Sequence, residues 1–393
     1  MSAEKGALQR GRKRVKIAVI IPHFPPHIGG GEQLFLAVCQ SLVQRGHQVC
    51  VVTSNSGGVT GIRQMDGFEV RYCPWRMLFG QPVLRIRDIR EVLAWCDVVH
   101  TSIYSTALRT ILAARQAKKP CVVTFHEVMG PKWRLFEPNL IRSTGFICYE
   151  WLLLQFAGNV HAVSRATERD YRRFCRRPGR VFMIPNFLEF PEKAALMSAG
   201  PGFREVFSLQ DGEKGILYFS RPAAIKGVFV LLEAVRLVQD QLRNGRARLC
   251  MLLSAAPEKG RKQVEAFVER EGLSDIVRIR NSLPRNQQLR VVSEADLCVI
   301  PSVTEGFGFA AVEACHYGRP VICSDAGALP EVVSGRVRFF RNREAANLAE
   351  QLATFLREGP EGFLVIPAKH FDRDPSIDAY VRMYETLVNS ERI

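Results

Sequence analysis

The sequence carries 11 cysteines but no C-x-x-C. Most of them lie inside apolar runs, such as Cys50 in QVCVVT and Cys298 in DLCVIP. That removes the common zinc and redox spacings. An odd number of scattered, apolar-flanked thiols suits a reducing compartment, and a cytoplasmic protein is expected. Long hydrophobic runs are missing as well. No stretch approaches the roughly 18 residues of a membrane span, and the most apolar one, around 146–156, is broken by Glu150 and Gln155. The basic start KGALQRGRKRVK leads into only IAVII, short of the roughly 7–15 apolar residues of a signal peptide. It reads as a basic tail over 1–14 followed by a first strand. No G-x-G-x-x-G follows that strand, and the second strand ends in Thr53-Ser54 where a dinucleotide fold places an acid. An RNP-like aromatic strand, C2H2 spacing and a basic recognition helix are all absent, so nucleic acid is not an expected partner.

What is present is a globular composition, 47% apolar and 24% charged over 393 residues, enough for two domains. Its net charge of +15 is unevenly placed. Residues 1–186 hold 27 Lys+Arg against 12 Asp+Glu, 27 − 12 = +15, whereas 187–393 hold 27 of each. An anionic partner is therefore expected for the first half: a membrane surface or a phosphorylated acceptor.

Apolar strand patterns alternate with helical ones from end to end, which predicts parallel sheets wrapped by helices. Strands are expected at 15–21, 48–53, 68–73, 97–101, 121–125, 159–164 and 181–185, then at 215–220, 248–254, 276–280, 296–301 and 320–324. An N-terminal α/β domain over 15–190 is followed by a linker region at 191–212, with two prolines and two glycines nearby. A second α/β domain covers 213–372, and an amphipathic helix over 373–393, capped by Asp374 or Ser376, crosses back. Two such domains facing each other would form a ligand-binding cleft.

Four segments carry candidate chemistry. In PSVTEGFGFAAVEACHYGRPVICSDAGALPEVV, Glu305 and Glu313 bracket a Gly306-Phe307-Gly308 turn that opens a helix after a strand. With 27 glutamates in the chain, about two E-x7-E pairs arise by chance, so spacing alone says nothing. The context does: glycines admit a ligand to the backbone, and a helix start offers unpaired N–H donors. In YFSRPAAIKGVFV, Arg221 and Lys226 share a strand-to-helix loop, as suits a diphosphate. Gly29-Gly30-Gly31 before the first helix is a weaker phosphate cradle. His126 and Glu127 follow a strand in VVTFHEVMGP. A fifth segment, KWRLFEPNLIRSTGFICYEWLLLQF (132–157), mixes cations with large apolar side chains and is a candidate either for contact with a membrane or lipid-linked acceptor, or for core packing.

Together GGGEQLFLAVCQSLVQRGHQVCVVT, HAVSRATERDY, VFMIPNF, SRPAAIKG and TEGFGFAAVEACHYGRPVICSDAGALPEVV resemble the retaining glycosyltransferases of family 4 (glycosyl transferases group 1), with the GT-B fold, over roughly 15–390. The resemblance implies a nucleotide-diphosphate sugar, UDP- or GDP-linked, as donor substrate, with no cofactor and no metal. Glu313 would hold the ribose hydroxyls, and Glu305 with the Phe307-Gly308-Phe309 backbone the hexose. Arg221 and Lys226 would stabilise the departing diphosphate, helped by the Gly30-Gly31 backbone, with His126 near the anomeric region. The family often has Gly-Arg where this chain has Ser220-Arg221, and Asn-Gly where it has Asn186-Phe187. A sugar-nucleotide epimerase or a phosphorylase of the same fold is the alternative, and a nucleic-acid-binding module a reading of another class.

Overall fold

The computed structural model describes residues 14–27, 29–55, 58–78, 81–103 and 105–390. The expected basic tail lies, except for Arg14, outside them. The chain divides into two compact units. One comprises Met1–Trp133, Asn139–Leu188 and Phe371–Ile393; the other comprises Arg134–Pro138 and Glu189–His370.

The first unit is built on an eight-stranded sheet. Its strands are β1 (Lys16–Ile20), β2 (Gln48–Ser54), β3 (Gly61–Met65), β4 (Phe68–Cys73), β7 (Val98–Ser102), β8 (Cys121–Phe125), β9 (Asn159–Ala162) and β10 (Arg180–Met183). The order is β10-β9-β8-β7-β1-β2-β4-β3, with β5 (Arg76–Leu78) and β6 (Gln81–Val83) forming a separate hairpin. β1, β2 and β7 are almost wholly buried and rich in β-branched residues, as strands covered on both faces must be. The main helices are α1 (Gly30–Gln44), α2 (Ala107–Gln116), α3 (Leu140–Phe156), α4 (Arg165–Phe174) and, at the chain end, the last described helix, Arg373–Ser390. That last helix packs on α1, with Tyr380, Met383, Tyr384 and Leu387 buried in the core. Ser376 does not cap it; its hydroxyl donates to the Pro185 carbonyl at 3.3 Å.

The second unit holds a seven-stranded sheet, β11 (Lys214–Ser220), β12 (Ala247–Leu253), β13 (Val277–Asn281), β14 (Leu297–Ile300), β15 (Val321–Ser324), β16 (Gly335–Phe340) and β17 (Leu364–Ile366). The order is β13-β12-β11-β14-β15-β16-β17. It is flanked by α5 (Val228–Leu237), α6 (Arg285–Glu294) and α7 (Phe309–His316), among others, and the Arg373–Ser390 helix is α8 in this numbering.

All twelve expected strands are present within a residue or two. The strands that escaped the sequence pattern lack a buried run. β3 is exposed along most of its length and pairs antiparallel at the edge of the first unit's sheet; β17 does the same at the edge of the second unit's sheet. The stretch 191–212 is no free linker. It forms short helices at Lys193–Met197 and Phe203–Val206 that pack on α6, with Phe203 and Phe207 buried.

Candidate functional site

In each sheet the strand order runs outward from the first strand on one side and then resumes on its other side, so the loops at the C-terminal ends of the two strands at that switch diverge and leave a crevice. In the second unit that place is between β11 and β14, and the loops leaving these two strands carry Arg221, Lys226 and Glu305.

Glycine makes the two loops touch. Gly227 has φ +70°, and a Cβ on it would stand 1.7 Å from the Pro301 carbonyl oxygen at the end of β14. Val303 N donates to Ile225 O at 2.9 Å across the same seam. The approach sets Lys226 Nζ 2.8 Å from Glu305 Oε2, both side chains half-buried. Gly327 presses on Glu305 from the far side: it has φ +53°, a Cβ there would lie 2.1 Å from the Glu305 carbonyl oxygen, and Ala328 N donates to that oxygen at 2.9 Å. Asn342 Nδ2 holds the Val303 carbonyl at 2.8 Å. The backbone from Val303 to Glu305 is thus fixed by contacts from two other loops, and the Lys226 side chain holds the Glu305 carboxylate. Arg221 is exposed, and no side-chain partner for it is found among the described residues.

Gly308, at φ +102°, turns the chain into α7, with Phe307 buried and its ring edge-on to Phe309 at 5.2 Å. Glu313 lies one turn into α7 and is 4% exposed, not on a solvated face. Arg285 Nη1, at the start of α6, meets Glu313 Oε1 at 2.5 Å. Burial raises the Glu313 carboxyl above its ordinary value, and Arg285 opposes the rise. Arg285 was not foreseen; its link to Glu313 spans 28 residues and leaves no local signal. Tyr317, one turn beyond Glu313, has a buried hydroxyl with no hydrogen-bond partner among the described residues.

In the first unit the corresponding place is between β1 and β7. α1 begins at Gly30, and a Cβ on Gly31 would lie 3.7 Å from His126 Nε2, so these sequence-selected residues do meet. Burial pushes the His126 imidazole down to about 4, which keeps it neutral. The α1 N-terminus already has an anionic companion of its own. Glu32 sits in its first turn, pairs with His27 Nδ1 at 3.3 Å, and lies where a Cβ on Gly29 would fall.

Behind His126 runs a buried chain whose proton positions follow from one end. The Ile184 carbonyl only accepts, so His161 Nε2 donates to it at 2.9 Å. His161 Nδ1 then accepts from the Thr124 hydroxyl at 2.8 Å, Thr124 accepts from His100 Nε2 at 2.6 Å, and His100 Nδ1 accepts from Tyr384 at 2.6 Å. Both histidines are neutral, their pKa values lowered first by burial. No group of three or more potential metal ligands occurs among the described residues.

Comparison with known proteins agrees with this architecture. Residues 28–189 match Glycosyltransferase Family 4, and residues 201–362 match Glycosyl transferases group 1. The chain is 29% identical over 396 residues to a D-inositol 3-phosphate glycosyltransferase of Nocardia farcinica, covering 89% of this chain and 84% of that one. It is 25% identical over 381 residues to a subunit of the phosphatidylinositol N-acetylglucosaminyltransferase of Homo sapiens, covering 92% and 73%. Among solved structures, a sucrose-phosphate synthase from Thermosynechococcus elongatus superposes with a TM-score of 0.74 at 18% identity, covering 96% of this chain and all of that one. Anabaena HepE in complex with UDP-glucose gives 0.68 at 16%, again over 96% of this chain and all of its own. Those structures share the two-domain α/β architecture of the GT-B fold.

Proposed function

Because the chain belongs to the group 1 glycosyl transferases with a family 4 N-terminal part, and is a glycosyltransferase, we propose that it moves a hexose from a UDP- or GDP-linked sugar with retention at the anomeric carbon. The observation that carries this reading is the cluster at the β11–β14 crevice. Lys226 stands beside the Glu305 carboxylate, and the exposed guanidinium of Arg221 is carried on the same loop as Lys226, at the C-terminal end of β11.

In this reading Arg221 and Lys226 take the diphosphate. As the bond from the anomeric carbon to the phosphate oxygen breaks, negative charge grows on that oxygen, and fixed cations stabilise it more than they stabilise the ground state. They fill the place a metal would take. The acceptor oxygen bonds to the same face of the anomeric carbon, and its proton passes to the departing phosphate oxygen. Glu305 and the Phe307-Gly308-Phe309 backbone orient the hexose, and Glu313, kept in place by Arg285, takes the ribose. The relatives named for inositol phosphate and phosphatidylinositol substrates favour a phosphorylated or lipid-linked acceptor, as does the basic first half. Gly30, Gly31 and His126 are assigned to the acceptor side and the diphosphate. All eleven cysteines are free and most are buried, in keeping with a cytoplasmic setting, at the inner face of a membrane. No described helix is long and apolar enough to cross one.

The test is the double variant Arg221→Ala/Lys226→Ala, assayed after a thermal-shift screen of UDP- and GDP-sugars has identified the donor. Transfer is expected to vanish while the melting temperature hardly moves, since both side chains are at least partly exposed. Full turnover in this variant would sink the assignment. Isomerisation of the donor without any acceptor would point instead to an epimerase.

A further inference from the structure

The face of α3 that points away from its own unit carries no charge. Around a helix of 3.6 residues per turn, Leu140, Ile141, Thr144, Cys148, Trp151 and Leu152 fall within about 120° of one another, and all six are exposed. Ile141 is 85% exposed, Leu140 65% and Trp151 42%. A solvent-facing helix ordinarily puts charged or polar side chains there.

The rotation of α3 is not free to hide them. Glu150, about 180° from Ile141 around the helix, is buried as a three-way acceptor. It takes Met129 N at 3.0 Å, Gly130 N at 2.6 Å and Trp133 Nε1 at 3.2 Å. Turning the apolar face inward would strip a buried carboxylate of three donors, a costly change. The charged residue that interrupts the most apolar stretch of the sequence is the one that locks the apolar face outward.

Positive charge borders this face. Between Arg165 and Arg180 the chain has seven arginines and two acids, and α4, which carries most of them, packs beside α3. The Arg176 guanidinium lies over the Trp151 ring at 5.4 Å, and Arg115 over Phe156 at 5.4 Å. Apolar side chains outward, an aromatic at the boundary and guanidinium groups around it match the chemistry of an anionic lipid surface, where alkyl groups enter the acyl boundary and cations meet phosphates. A second copy fits poorly, because it would bring two arginine-rich surfaces together.

We propose that the outer face of α3, with the arginines of α4 and of the bend that follows it (Arg176, Arg177) as its rim, docks this glycosyltransferase on an anionic bilayer. The proposal deepens the membrane-facing reading above by naming the surface, and its test contains no sugar nucleotide. Its failure therefore leaves the transfer assignment intact, and an inactive Arg221/Lys226 variant says nothing against the docking face.

The experiment is co-sedimentation of the full chain with vesicles of phosphatidylcholine alone and of phosphatidylcholine with phosphatidylglycerol in equal parts, at low and high salt. Tryptophan emission is read alongside. Of the four tryptophans, Trp151 is the most exposed, with Trp75 and Trp133 buried and Trp95 half-buried. Binding is expected only to the anionic vesicles, weakening with salt, with emission moving to shorter wavelength. Ile141→Ser/Leu152→Ser, changed at exposed positions and so expected to melt as the parent does, should lose affinity by about tenfold or more and lose the emission shift. Arg173→Gln/Arg177→Gln should weaken binding and flatten its salt dependence. The proposal is overturned by absence of binding at low salt, or by undiminished binding of the serine variant. Lipid-free dimerisation that the serines abolish would also overturn it, since the face would then be a copy interface.

Discussion

Three glycines at the β11–β14 crevice show how single residues set its geometry. Gly227, Gly308 and Gly327 all have positive φ, but what surrounds them differs. Gly318 has φ +66° with nothing near its Cβ direction, while Gly227 at φ +70° faces the Pro301 carbonyl oxygen. Gly318→Ala should cost about 1 kcal/mol, the strain of an L-residue in the left-handed region. Gly227→Ala adds a backbone clash, should cost several times that, and should move Lys226 away from Glu305. Urea unfolding of the two variants checks the difference. Glu305 and Glu313 separate in the same way. Glu305 pairs with a lysine on a neighbouring loop, whereas Glu313 is desolvated and tied to Arg285. Arg285→Ala should leave Glu313 buried without its cation, raise its pKa further, and weaken donor binding in proportion to the protonated fraction. Donor affinity measured against pH is the readout: it should fall at lower pH in the variant over a range where the parent stays flat.

At the scale of elements, α8 is secured by more than its apolar face. Tyr384 donates to His100 on β7, and the chain continues through Thr124 on β8 and His161 on β9 to the Ile184 carbonyl. Tyr384→Phe removes only the first donor and leaves His100 Nδ1 a buried acceptor with nothing to accept. A loss of about 1–3 kcal/mol is expected. Hydrogen exchange should show α8 opening more readily, with the second sheet unaffected. α3 behaves differently: its interior contacts and Glu150 hold it in place, so changes on its outer face should leave stability where it was.

Over the whole molecule, acid should act on the two units unequally. His100, His126 and His161 all belong to the first unit and are held neutral by burial, the latter two down to about 4. Their folded values lie below the unfolded one near 6.5, so the unfolded chain binds more protons as pH falls. Stability is then full above about pH 6.5 and is lost toward pH 4, at up to about 1.4 kcal/mol per pH unit for each such group. Glu150 and Glu313, raised by burial, work in the opposite sense, one in each unit. His23, also in the first unit, is lowered by burial as well, so four groups against one leave the first unit acid-sensitive, while the second unit's two histidines are exposed. Calorimetry between pH 7 and about pH 4.5 should therefore move the first unit's transition down and leave the second unit's nearly in place. A shift confined to the second unit would contradict this assignment.

Much of this was legible in the chain itself. Buried parallel strands read as apolar runs because both their faces are covered. The loops bearing Arg221, Lys226, Glu305 and Gly308 stand out because a glycine or a cation directly after such a run has no packing reason to be there. The sequence alone determined the alternation of strand and helix, the positions of those loops, and the confinement of excess positive charge to residues 1–186, since each depends on residues close together in the chain. Only the tertiary structure decided that Lys226 pairs with Glu305, that Arg285 answers Glu313 across 28 residues, and that 191–212 packs as helices. It also decided which way α3 faces: the sequence left that stretch open between core and surface, and the hydrogen bonds of buried Glu150 chose both, with one side packed and the other turned outward. The reason is common to all four cases. Which groups are buried and paired depends on which segments meet in space, and separation along the chain carries no record of that.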